Sequence, residues 1–162
     1  MYKELQQEIE NLVHDEENFI ANASNFVSHV YSKMEDISWV GFYLLGPDSL
    51  IIGPYMGKPA CMHLQHGLGV CWASVDKRDV VVVPNVHEFP NHIACDSDAK
   101  SEVVVPLIKN GIIYGVLDLD SYSYGRFSEE DGENLKAIVN ILVGASDMRA
   151  AGKYYKKSYS ID

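Results

Sequence analysis

Three cysteines, Cys61, Cys71 and Cys95, fall within one central stretch rich in glycine, proline and histidine. That composition reads as loop rather than packed helix or strand. A cysteine on a mobile, partly wet loop is available for thiolate chemistry, whereas one buried in a core is a small inert hydrophobe. An odd cysteine count also argues against a purely structural disulfide framework. The pattern points to redox chemistry ahead of metal binding and plain packing.

A second group with chemical capacity is a set of carboxylates on a hairpin. Glu102–Ile108 and Ile112–Asp120 are apolar runs joined through Lys109-Asn110-Gly111, and Asn-Gly between such runs is a hairpin signal. Asp118 and Asp120 are two apart, so they share a sheet face with Val116 and Tyr114, while Leu117 and Leu119 point into the core. Whether Glu102 joins them depends on register. A two-residue loop sets it opposite Leu119, on the wrong face, and a three-residue loop Lys109–Gly111 sets it opposite Asp118. We expect the three-residue connection with Gly111 left-handed, or a bulge near Pro106 of equal effect. The plainer alternative is strand-end acids in water. If they converge in a pocket, mutual repulsion keeps a proton on at least one and makes a general acid.

Trp39 and Tyr43 sit four apart on a predicted strand, so they share a face, as a core pair or as an apolar pocket wall. His63, His66, His87 and His92 lie near the cysteines and bring zinc into consideration. Cys61-x-His63, His66, Cys71 and His92-x-x-Cys95 supply suitable ligand types, but none has the paired Cys-x-x-Cys spacing of a structural zinc module. These histidines read mainly as loop hydrogen-bonders.

The elements that must position these residues follow from periodicity. Apolar residues recur at helical spacing from Leu5 to Val30, with a weak point near Asp15 to Glu17 that splits residues 1–34 into two helices. Strands follow at Ser38–Leu45 and Leu50–Tyr55, around the turn Gly46-Pro47-Asp48-Ser49. Residues 57–100 read as loop apart from a strand at Val80–Val83 and a short helix near Val70–Val75. Ser128-Glu129-Glu130-Asp131 resembles a capping box opening a last helix over residues 128–148. The expected fold is α+β, one domain over residues 1–150, with a central antiparallel sheet and catalytic loops over 37–127 between N- and C-terminal helices. Residues 151–162 read as a polar tail.

The chain has 162 residues, 47% of them hydrophobic, which suits one domain with a sizeable core. Its 13 basic against 23 acidic residues give a net charge of −10, which repels phosphate backbones and argues against nucleic-acid binding. No signal-peptide core or membrane-length apolar run occurs, so we expect no membrane association and a cytoplasmic protein, where thiols stay reduced.

Several runs carry a family resemblance. They are Gly53-Pro54-Tyr55-Met56-Gly57-Lys58-Pro59-Ala60-Cys61, Gly67-Leu68-Gly69-Val70-Cys71 and Phe89-Pro90-Asn91-His92-Ile93-Ala94-Cys95-Asp96. Ser101-Glu102-Val103-Val104-Val105-Pro106 and Gly115-Val116-Leu117-Asp118-Leu119-Asp120-Ser121 continue the order. Together they resemble the free methionine-(R)-sulfoxide reductase family, which has the GAF-domain fold. Asn91, where glycine is usual, and Trp72, after the second cysteine, depart from the pattern and bear on local loop shape.

The resemblance implies reduction of free methionine-(R)-sulfoxide to methionine, recycling by thioredoxin, a role in oxidative stress and a homodimer. It implies Cys95 as attacking thiolate, Cys61 as principal resolving cysteine and Cys71 as an accessory one. Trp39 and Tyr43 would pack the S-methyl group, while Glu102, Asp118 and Asp120 would supply a proton and hold the ammonium. No metal or organic cofactor is needed in that scheme. A different class, a GAF domain that senses a small ligand without catalysis, would not need three loop cysteines beside a carboxylate trio.

Overall fold

The structure, a computed structural model, describes residues 1–149 and 151, so all of the expected tail but Ala151 lies outside the described residues. Two helices open the chain, α1 (Tyr2–Val13) and α2 (Phe19–Lys33). They divide at the expected weak point, where the Asn18 side chain accepts from the Ala21 backbone N–H at 3.0 Å and starts α2. Strands β1 (Trp39–Leu45), β2 (Ser49–Gly57) and β3 (His63–Gln65) precede helix α3 (Gly69–Lys77). Strand β4 (Val81–Val83), a single 3₁₀ turn (Val86–Glu88), β5 (Ser101–Lys109), β6 (Ile112–Ser121) and helix α4 (Glu129–Ala145) complete the order. Ser128 and Asp131 cap α4 reciprocally, as their spacing implies. The helix stops at Ala145, short of the expected 148, because Ser146 turns extended and its hydroxyl accepts from the Asn22 side-chain amide.

The strands form one antiparallel sheet in the order β3-β2-β1-β6-β5-β4. Its two faces bury different things. Val40, Phe42 and Leu44 of β1, Val103, Val105 and Leu107 of β5, and Leu117 and Leu119 of β6 pack under α1, α2 and α4. Trp39, Tyr43, Val104 and Val116 face the other way, toward α3 and the loops after β2 and β4. The period-two alternation thus sorts apolar core from a second, polar-edged cluster.

The hairpin register is reached by the second of the two expected routes, a bulge near Pro106, and not by a three-residue connection. The β5–β6 connection is the two-residue Asn110-Gly111 turn, with φ of 52° and 75°, which pairs Lys109 with Ile112 and Ile108 with Ile113. A bulge then shifts the pairing so that Leu107 meets Gly115 and Glu102 meets Asp120, not Asp118. The extra residue is Tyr114. It turns to the helical side, against expectation, while Ile113 takes the other face. The shift restores the even pairing and puts Glu102, Asp118 and Asp120 on one face.

Gly115 makes the bulge possible. Its φ is 152°, and a Cβ there would lie 2.2 Å from the Tyr43 carbonyl oxygen of β1. We expect Gly115→Ala to cost about 3 kcal/mol, read as a lower urea midpoint with an unchanged slope. A variant as stable as wild type would contradict this reading.

Candidate active site

One pocket opens on the polar-edged face. β1 supplies Trp39 and Tyr43 as its wall, and β6 lies beside it with Trp39 paired to Asp120 and Gly41 to Asp118. Gly41 has a purpose here: a side chain at this position would strike the Trp39 indole and Tyr55. The indole can therefore lie flat, stacked at 5.4 Å on Tyr55 and 5.8 Å on Tyr43. Its Nε1 donates to the Lys58 carbonyl at 3.1 Å, and the Tyr43 hydroxyl donates to the Cys61 carbonyl at 2.8 Å. Both aromatic residues are at once buried and directional.

The pocket floor is acidic. Glu102 and Asp118 are each 6% exposed, and Asp120 beside them is half-buried. Burial pushes all three carboxyls well above the usual carboxylate range. Mutual repulsion adds to it: the Asp120 charge acts on Glu102, Glu102 on Asp118, and Asp118 with Asp96 on Asp120. Among the described residues, Oδ1 of Asp118 is buried without a hydrogen-bond partner. Such a group costs stability unless something arrives to pair with it. The cluster can hold a proton at neutral pH and offer an acceptor to an incoming polar group.

Cys61 and Cys95 are joined in a disulfide across 34 positions of sequence, with Cα atoms 5.5 Å apart. This meets the geometric requirement of about 7 Å for a bridged pair. The two loops carrying them, one after β2 and one after the 3₁₀ turn, close over the carboxylate floor. Among the described residues, Cys95 and Cys71 are the cysteines lining the pocket.

Cys71 departs from the wet-loop expectation and sits instead in the short helix expected near Val70–Val75. It lies in the first turn of α3, 3% exposed, with its Sγ within 4.8 Å of carboxylate oxygens of Glu102 and Asp118. Burial first, then the Asp118 and Glu102 charges, pushes its thiol well up, so at neutral pH it is a thiol and a poor nucleophile. Among the described residues, Cys71, Glu102 and Asp118 are the donors close enough to share a cation. Among the described residues the histidine–cysteine sets weighed for zinc do not come together as a ligand group; His63 bonds Ser49 at 3.0 Å and His66 bonds Asp76 at 3.1 Å.

His92, a candidate zinc ligand or loop hydrogen-bonder from the sequence, lines the pocket instead. Its Nε2 lies 3.6 Å from Glu102, and burial lowers its pKa, so it is neutral near pH 7. Its place three residues before Cys95 was the available signal. The two departures from the family pattern also find physical accounts. Asn91 takes φ 58°, a left-handed conformation that asparagine tolerates nearly as glycine does. The Trp72 indole donates to the Leu64 carbonyl at 2.7 Å and anchors α3 to β3.

Residues 20–145 match the family model for the GAF domain, the class that this helix-flanked six-stranded sheet and one-faced pocket define. The free methionine-R-sulfoxide reductase of Escherichia coli (strain K12) is 41% identical over 138 residues, 85% of this chain and 84% of that protein. The enzyme of the same name from Saccharomyces cerevisiae is 40% identical over 128 residues, 76% of this chain and 71% of that one. The structure of the Neisseria meningitidis free methionine-R-sulfoxide reductase in complex with its substrate superimposes with a TM-score of 0.86 at 37% identity, covering 94% of this chain and 91% of that one. The chain belongs to the free methionine-R-sulfoxide reductase family of GAF-domain proteins.

Proposed function

We propose that the protein reduces free L-methionine-(R)-sulfoxide to methionine at this pocket. The observation that carries the reading is the Cys61–Cys95 bridge closing over a floor of three carboxyls whose hold on protons burial and mutual repulsion raise. The Cys95 thiolate attacks the sulfoxide sulfur, and the sulfoxide oxygen takes a proton from the carboxylate trio. The oxygen passes to Cys95 as a sulfenic acid, and methionine leaves with two more electrons on sulfur. The Cys61 thiol then condenses with the sulfenic acid, forming the disulfide and releasing water. Thioredoxin, as external dithiol, reopens the bridge by exchange. Trp39 and Tyr43 hold the S-methyl group, and the ionised members of the trio hold the ammonium. Cys71, shielded beneath the pocket, is the reserve thiol should Cys61 be absent.

No helix among the described residues is long and apolar enough to cross a membrane. We place the protein in the cytoplasm as a homodimer serving repair under oxidative stress, in keeping with the donor that this chemistry requires. Thioredoxin-coupled NADPH consumption on the separate R and S epimers tests the activity. Consumption with the R epimer supports the reading, and its absence favours a GAF domain that binds a small ligand without turning it over.

The trio predicts a pH effect. Glu102 raises the pKa of Asp118, so Glu102→Gln removes a like charge and lets the proton-carrying acid ionise at lower pH. A general acid works only while protonated, so the alkaline limb of kcat/KM should move to lower pH. Activity at neutral pH should drop on the order of 100-fold. A limb that stays in place, or moves up, would remove Glu102 from the acid group.

A further inference from the structure

The segment that carries the resolving thiol is held by the substrate wall itself. Between the end of β2 and the start of β3, the chain runs Lys58-Pro59-Ala60-Cys61-Met62 without regular structure. Three of its carbonyls are fixed. The Lys58 carbonyl accepts from the Trp39 indole at 3.1 Å, the Cys61 carbonyl from the Tyr43 hydroxyl at 2.8 Å, and the Met62 carbonyl from the Ile52 backbone N–H at 3.0 Å. The Met62 bond continues the β2–β3 pairing, whereas the other two come from the pocket aromatics. The Tyr43 bond falls on the residue that bears the thiol.

We propose that Tyr43 is a positioning residue for Cys61: its hydroxyl fixes the peptide carrying the resolving thiol and so sets how fast the Cys95 sulfenic acid closes to the disulfide. This rests on the redox reading of the two cysteines given above. Tyr43 is well suited to the task. It is 2% exposed, its ring is stacked on Trp39, and its backbone lies in a strand hydrogen-bonded on both sides. The hydroxyl therefore has little freedom, and burial pushes its pKa so far up that it remains a donor across the working pH range. Ring closure between two loop cysteines is an orientation problem. A displacement of about 1 Å in such a step can cost up to 100-fold in rate. The step itself balances internally: Cys61–SH and Cys95–SOH give the S–S bond and one water.

The test is Tyr43→Phe, which keeps the ring and its stacking but removes the donor. Pre-reduced protein is mixed with free methionine-(R)-sulfoxide, and methionine release and loss of thiols are timed separately by quenched flow. Because the Tyr43 ring also packs the S-methyl group, the readout is a ratio: disulfide closure should slow by about tenfold or more beyond any slowing of release. The sulfenic acid should then persist long enough for capture by dimedone, detected as an added mass on the peptide containing Cys95. Closure at the wild-type rate, or release and closure slowed by the same factor, would overturn the proposal. A parallel arm uses hydrogen peroxide to oxidise Cys95 to the sulfenic acid, so closure is timed without the sulfoxide. If the wild-type protein releases no methionine, the proposed function fails, and the peroxide arm still decides the role of Tyr43.

Discussion

Cys95→Ser protein should release no methionine from free methionine-(R)-sulfoxide, even in a first turnover, because no thiolate remains to attack sulfur. Cys61→Ser should release about one methionine per chain and then stall as a Cys95 sulfenic acid. The two variants remove the same disulfide, so loss of the bridge alone cannot produce this difference. It follows from position: Cys95 lines the pocket above the carboxylates, while Cys61 arrives from the neighbouring loop. Quantified methionine in a rapid-quench experiment without reductant checks both. A first turnover surviving in Cys95→Ser would transfer the attacking role elsewhere. Continued cycling of Cys61→Ser with thioredoxin would show Cys71 resolving, which requires movement of α3 because Cys71 is buried within its first turn.

The second large effect is on substrate form. A free amino acid brings an ammonium that the acidic floor can hold, and the unpartnered Asp118 oxygen is available to accept a hydrogen bond there. A methionine sulfoxide within a peptide has an uncharged amide in that place, and its chain would run into the buried wall. Buried polar groups left unpaired reject an analogue far more strongly than a lost methylene does. We expect kcat/KM for a blocked methionine-sulfoxide peptide to be lower by on the order of 10³-fold or more. Comparable turnover of both forms would show that the pocket does not enclose the amino-acid end.

Much of this site could be read along the chain, and the parts that could not share a cause. The order of the elements, the capping box at Ser128 and the facing of Trp39 and Tyr43 follow from local periodicity. The Asn110-Gly111 turn and a register-setting bulge near Pro106 are legible too, but the strand and the residue that bulge, Tyr114 of β6, are not. The bulge arises where Gly115 meets the Tyr43 carbonyl on the adjacent strand, a contact between residues 72 positions apart. Local sequence carries no sign of that approach beyond the glycine. The short helix near Val70–Val75 is legible, but the burial of Cys71 in it is not, because Gly67 and Gly69 bracket the start of α3 and give the stretch a loop composition. Both take positive φ and lead into the helix. β3 escaped for a different reason: three residues are too few to show alternation. The burial that shapes the acids, Cys71 and His92 is likewise a property of two loops closing on a sheet. Sequence could name the groups but not their desolvation.

The central claim is that Cys95 removes the oxygen of the free R sulfoxide and that Cys61 closes on the product. The direct measurement is a stoichiometric one: fully reduced protein is mixed with excess free R or S sulfoxide, with no reductant present. Methionine and the peptide disulfide are then counted in the same sample. The account predicts about one methionine and one Cys61–Cys95 disulfide per chain from the R epimer, and neither from the S epimer. Methionine released without that disulfide, equal yields from both epimers, or no methionine at all would contradict it.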